Sequence, residues 1–271
     1  MGNGTLTDVF KDRSLKEIYR GEHFDGMSFH EIGLLSRIVD DLSKRDIAGI
    51  FEFLSEPDAL FLFIYNLGKD DIYYYPFVDD RMRPRGLRKA EGPVGAQYSR
   101  YHWELLWQHV CYVVAKLVEQ GHFTVREAVL LAIWHDVGKK YTTATNSRGE
   151  ICFYNHAAVS AFLATKALGG VDPKLDHEER KRLIAIIYGH MQPLTLWNRS
   201  TDYETGEPTD YKMAFFKELL EFFDGDYAMA GKVIGDIEKF GECDLGITQD
   251  HINDPDVCEL IEKGKQIILS V

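Results

Sequence analysis

Between residues 29 and 54 the apolar positions Ile32, Leu34, Leu35, Ile38, Val39, Leu42, Ile47, Ile50, Phe51 and Leu54 recur mainly at intervals of three and four. That spacing predicts one or two amphipathic helices. The run Ala59 to Asn66, closed by Gly68, is apolar but too short to separate helix from strand. From residue 103 the pattern sharpens. Leu105, Leu106, His109, Val110, Val113, Val114 and Leu117 share one helical face. Thr124 with Glu127 forms a capping box for the next helix, which runs through Val129, Leu130, Leu131 and Ile133 to a stop at Gly138. Asn155 is a candidate N-cap for a helix from His156 to Leu168 that Gly169-Gly170 ends. The run Leu183 to Gly189 closes a further helix before Pro193, and another begins near Asp210. No repeat or low-complexity tract interrupts this. The fold expected is all-α, a helical bundle over residues 98–271 with a mostly helical extension and a basic loop over residues 1–97.

The polar residues that interrupt these apolar faces carry the chemistry. His109 falls among core positions, where a lone histidine is ordinarily a hydrogen-bonded core residue. Farther on, Trp134-His135-Asp136-Val137-Gly138-Lys139 sets an imidazole beside a carboxylate in the last turn of an apolar helix. The pair suits a hard or borderline divalent cation but cannot complete its shell. Without a cation, Asp136 among Ile133, Trp134 and Val137 is a costly buried acid. His156, His190 and Asp226 follow, each placed to project a ligand from a separate helix into a shared core. His156 also reads as an exposed first-turn residue, and His190 as a cap for free carbonyls. Asp224 competes with Asp226, which lies three and four residues after Phe223 and Phe222. His23, His30, His122, His177 and His251 have no partners at telling spacing and read as surface or cap residues.

The order His109, His135-Asp136, His156, His190, Asp226 resembles the HD-domain superfamily of metal-dependent phosphohydrolases. The string His135-Asp136-Val137-Gly138-Lys139, with Phe153-Tyr154-Asn155-His156-Ala157-Ala158-Val159-Ser160-Ala161, is most similar to the HD domain associated with bacterial CCA-adding tRNA nucleotidyltransferases. The likeness spans roughly residues 98–250. The nucleotidyltransferase head has no counterpart in the first 100 residues, so nucleotide addition is not implied. What the resemblance implies is an HD-domain bundle whose metal ligands are His109, His135, Asp136, His156, His190 and Asp226. One or two divalent ions (Mn, Fe, Ni, Co, Zn or Mg) are expected, and affinity alone does not choose among them. Asp136, Lys139, His156 and His190 take the catalytic roles. His102, Arg100 and Lys139 contact the substrate phosphate, although His102 reads equally as a packing residue.

Composition narrows the substrate more than the fold. The chain has 271 residues, 45% hydrophobic and 27% charged, which is globular composition. Its formal net charge of -12 opposes long-range capture of a polyanion. A small phosphorylated substrate, a nucleotide above all, is therefore expected rather than nucleic acid. Arg81, Arg83, Arg85, Arg88, Lys89 and Arg100 form a local basic loop, readable as a phosphate contact or, more simply, as a solvated linker. Trp197, Asn198, Arg199 and Tyr203 sit in a second polar loop that can contact a base or sugar or merely connect helices. The 4 cysteines form no Cys-x-x-Cys pair, so neither a zinc ribbon nor a disulfide framework is suggested. No long uncharged apolar run and no signal-peptide layout appear, and a cytoplasmic location without a membrane partner is expected. The aromatic stretch over residues 72–77 would suit a homodimer contact. Two other readings stay open: a di-iron oxygenase on the same framework, and a non-catalytic module that senses a nucleotide.

Overall fold

The computed structural model describes residues 10–11, 13–20, 29–55, 104–145, 151–195, 197, 210–248 and 250–271. The expectations about residues 59–66, 72–77, the basic loop with Arg100, His102, and Asn198, Arg199 and Tyr203 lie outside them. Helices dominate: α1 (Leu15–Arg20), α2 (Phe29–Ser43), α3 (Ile47–Ser55), α4 (Leu106–Gln120), α5 (Val125–His135), α6 (Lys139–Thr142), α7 (His156–Val171), α8 (His177–Gly189), α9 (Gln192–Thr195), α10 (Tyr211–Phe222), α11 (Tyr227–Gly241) and α12 (Pro255–Ser270). The fold is an all-α helical bundle, ornamented by an antiparallel ribbon of β1 (Thr143–Thr145) and β2 (Ile151–Phe153). Among the described residues no helix is long and apolar enough to cross a membrane.

The chain forms two compact units. The first takes residues 1–44 and 157–244, and the second residues 45–156 and 245–271. Each therefore draws on both sides of the 97/98 division that the sequence suggests.

In the second unit α5 is the central helix, packed by α3, α4 and α12. It is buried on all sides from Ala128 to His135, as a helix without a polar face must be. Thr124 caps it as expected, its hydroxyl accepting the Glu127 N–H at 3.2 Å. Its end differs from expectation. The helix stops at His135, and Asp136 leaves it at φ -112° and ψ 2°, in the sparsely populated bridge region where residue geometry is set by the site rather than by the helix. α12 crosses α4 at Gly264, where a Cβ would stand 1.8 Å from the Cys111 carbonyl oxygen, so glycine is what permits the approach. Burial pushes the Cys111 thiol up to about 12, which keeps it a protonated core side chain.

In the first unit α11 packs against α8, α9 and α10, and α1 lies on α8 and α10. A buried ion pair, Arg182 Nε to Asp236 Oδ2 at 2.6 Å, joins α8 to α11. Two sequence expectations change. α7 continues through Gly169 and Gly170 to Val171; at Gly170 a Cβ would stand 2.7 Å from the Ser43 carbonyl oxygen, so glycine there serves packing instead of a stop. Asn155 has φ 57°, left-handed rather than the extended backbone of an N-cap, so it turns the chain out of β2 into α7.

Candidate metal centre

The end of α5 gathers side chains from three further places in the second unit: α4, α6 and the first residue of α7. Asp136 is at their middle. Its Oδ2 lies 3.2 Å from His135 Nε2 and 3.5 Å from His109 Nε2, and its Oδ1 lies 3.2 Å from His156 Nε2. His109 and His135 bring their Nε2 atoms within 3.3 Å of each other. All four residues are buried. Of the set expected from the sequence, this unit thus brings together His109, His135, Asp136 and His156.

Local structure explains why each ring presents Nε2. His135 Nδ1 lies 2.8 Å from the Ala132 carbonyl and His156 Nδ1 lies 2.7 Å from the Phe153 carbonyl. A carbonyl can only accept, so Nδ1 carries the proton in both rings and Nε2 keeps a lone pair. His109 Nδ1 faces the Glu104 carboxylate at 3.0 Å, within ion-pair range though not in line with the ring N–H. The sequence reading missed Glu104. Its signal was an acid between Trp103 and Leu105-Leu106, where an apolar flank makes burial costly without a partner.

Lys139, in the first turn after the doublet, sets its Nζ 2.6 Å from Asp136 Oδ2 and is buried. Its ammonium also stands over the Phe153 ring at 5.5 Å. Burial would push the Asp136 carboxyl up, but the charges packed against it, the Lys139 ammonium among them, hold it well below the usual carboxylate range. Lys140 has a separate task. It is buried, its Nζ donates to the Phe53 carbonyl and lies 4.1 Å above the Phe53 ring, so it anchors α6 to α3 and is no solvated charge.

The remaining expected residues belong to the first unit. His190 is buried at the C-cap of α8, and its Nδ1 lies 2.7 Å from the Ile187 carbonyl, the same preparation seen at His135 and His156. Asp226 is exposed, and its carboxylate accepts the Met229 N–H at 2.9 Å as the N-cap of α11. Asp224 is exposed as well, in the turn made by Gly225. His190 and Asp244 are buried side chains of this unit that could take part in holding a metal ion. Trp197 stands 5.1 Å below the Lys212 ammonium. The other described histidines have local roles. His177 meets the Tyr19 hydroxyl at 3.3 Å, His122 packs edge-on to Phe123, and His251 pairs with Thr248.

The donor set fits a divalent cation on two grounds. Lone pairs of neighbouring Nε2 and carboxylate oxygens pointing at one another repel unless a positive charge lies among them. Their separations of 3.2, 3.3 and 3.5 Å also match the about 3.0–3.4 Å edges of an octahedron or tetrahedron with bonds of about 2.1 Å. Buried His and Asp groups in this protein can therefore hold a metal ion.

Compared with protein-family models, with curated proteins and with solved structures, the chain matches none.

Proposed function

We propose that this protein is a metal-dependent phosphohydrolase of the HD-domain kind, cleaving a phosphoester of a nucleotide or another small phosphorylated substrate. The observation that carries the reading is the convergence of His109, His135 and His156 Nε2 on the two oxygens of Asp136, with Lys139 on the same carboxylate. His109, His135, Asp136 and His156 would hold the metal. When bound, a divalent ion supplies a Lewis acid for phosphoryl oxygens and lets water ionise near neutral pH.

The chain's own residues supply the rest. Asp136, kept ionised by Lys139, accepts a hydrogen bond from the attacking water and sets its direction. Lys139 keeps an ammonium at that carboxylate, within reach of a phosphate whose charge grows in the transition state. Apolar Ile133, Trp134 and Val137 exclude bulk water, which strengthens each of these interactions. The net charge of -12 favours a small substrate over a nucleic acid. Cytoplasmic location and homodimer formation belong to this reading as well.

The test combines elemental analysis with a panel of nucleotide and sugar phosphates, run on the wild type and on Asp136→Ala. Metal in the wild type, phosphate release, and loss of both in the variant are expected. Hydrolysis that neither EDTA nor the substitution affects would sink the proposal. Two irons with oxygen consumption would replace it by the oxygenase, and tight nucleotide binding without product by the sensor.

A further inference from the structure

We infer that Glu104 is a positioning residue of the metal centre, holding His109 in the Nδ1–H form so that Nε2 stays a ligand. The inference deepens the metal reading and rests on it. Three histidines of this protein, His135, His156 and His190, donate Nδ1–H to the carbonyl three residues back, at 2.8, 2.7 and 2.7 Å. Each can do so because it stands at a helix end. The carbonyls of Ala132 and Ile187 lie in the last turns of α5 and α8, where the helix leaves carbonyls without an amide partner, and Phe153 precedes α7.

His109 has no such option. It is the fourth residue of α4, so the carbonyl three residues back, that of Leu106, is committed to the helical ladder. Its Nδ1 is left to a side chain, and Glu104, fully buried just before α4, stands 3.0 Å away, in ion-pair range though off the line of the ring N–H. Glu104 is fixed in turn from the far side, since its Oε2 accepts the Ile247 N–H at 3.2 Å. A carboxylate accepts at both oxygens. An amide in its place cannot, because its NH2 must face either His109 or Ile247. With its oxygen on Ile247, the amide donates to His109 Nδ1, moves the ring proton to Nε2 and removes the lone pair. Carboxylate partners of ligand histidines act this way on tautomer, orientation and basicity, and their loss weakens metal binding by about 10- to 100-fold.

The test uses the full chain and two readouts. Ring nitrogen-15 spectra of the metal-free protein report the His109 tautomer, and calorimetry with Mn2+ or Zn2+ reports affinity. The wild type is expected to show Nδ1–H at His109, Glu104→Gln to show Nε2–H with affinity down about 10- to 100-fold, and Glu104→Asp to keep Nδ1–H with a smaller loss. A wild type already protonated at Nε2, or a Glu104→Gln variant with unchanged tautomer and affinity within about twofold, would overturn the inference. A wild type that binds neither ion defeats the metal reading, while the tautomer spectra still decide the part of Glu104. Should Glu104→Gln not fold, the wild-type tautomer and the Glu104→Asp affinity decide it.

Discussion

Two buried acids, one in each unit, show how differently the same carboxylate can be used. Asp236 in the first unit meets Arg182 at 2.6 Å, one anion against one cation. Such a pair is balanced, and a pair of well-packed apolar residues could replace it at little cost. Asp136 in the second unit meets three imidazoles through Nε2 together with the Lys139 ammonium. Three neutral donors aimed at one anion serve no purpose in packing. The first arrangement holds helices together, whereas the second, besides its ion pair with Lys139, gathers buried donors that could hold a metal ion.

The sharpest way to break this contrast is to remove each acid's role in turn. Asp136→Ala is expected to lose bound metal and phosphoester hydrolysis entirely while folding, and retained metal per chain in elemental analysis would erase the distinction. Arg182→Ala leaves Asp236 buried and uncompensated, at a cost of about 3–5 kcal/mol in denaturant unfolding. Metal per folded chain should not change, and the double substitution to Met and Leu should regain most of the loss.

Acid and base limbs of the stability curve give a smaller effect with opposite signs. Asp136 is held below its ordinary value, so it contributes stability that is present above the unfolded pKa of about 3.9 and lost as pH falls through its folded value. In metal-free protein, Asp136→Asn should flatten the acid limb. Glu218 in the first unit is the reverse case, pushed up by burial against hydrogen bonds from Leu15 and Tyr188. Its raised value costs stability as pH rises above about 4.3, so Glu218→Gln should stabilise the protein at neutral pH. A thermal melt series across pH that shows the same slope in both variants would contradict these assignments. The smallest effect is expected at Asp226. Its replacement by Ala removes a helix cap worth about 1 kcal/mol and should leave metal content untouched.

Much of the bundle was legible. The three-and-four spacing over residues 29–54 resolves into α2 and α3, and the Thr124 to Glu127 box opens α5 where expected. The His135-Asp136 doublet stood out because a polar pair inside an apolar helix is expensive unless it is used. Errors came where local signals were overruled. Gly169 and Gly170 read as a stop but lie inside α7, Gly170 against the Ser43 backbone, and Asn155 read as a cap but makes a left-handed turn. The ribbon of β1 and β2 escaped notice because each strand is only 3 residues long, too short for alternation to register. Asn146, Ser147 and Gly149, residue types that bound strands, were the available sign in the sequence.

By itself the sequence determined the helical class, the doublet and the roster of histidines, since periodicity and the cost of buried polar groups are properties of local chain. Tertiary structure decided which of these residues face one another and in what protonation form. Whether a histidine offers a lone pair depends on what its other nitrogen meets, and for His109 that partner is set by how residue 104 is held against residue 247. Burial separates Asp136 from the exposed, helix-capping Asp226, although both were expected as ligands. Those are relations between distant segments, and spacing along the chain does not encode them.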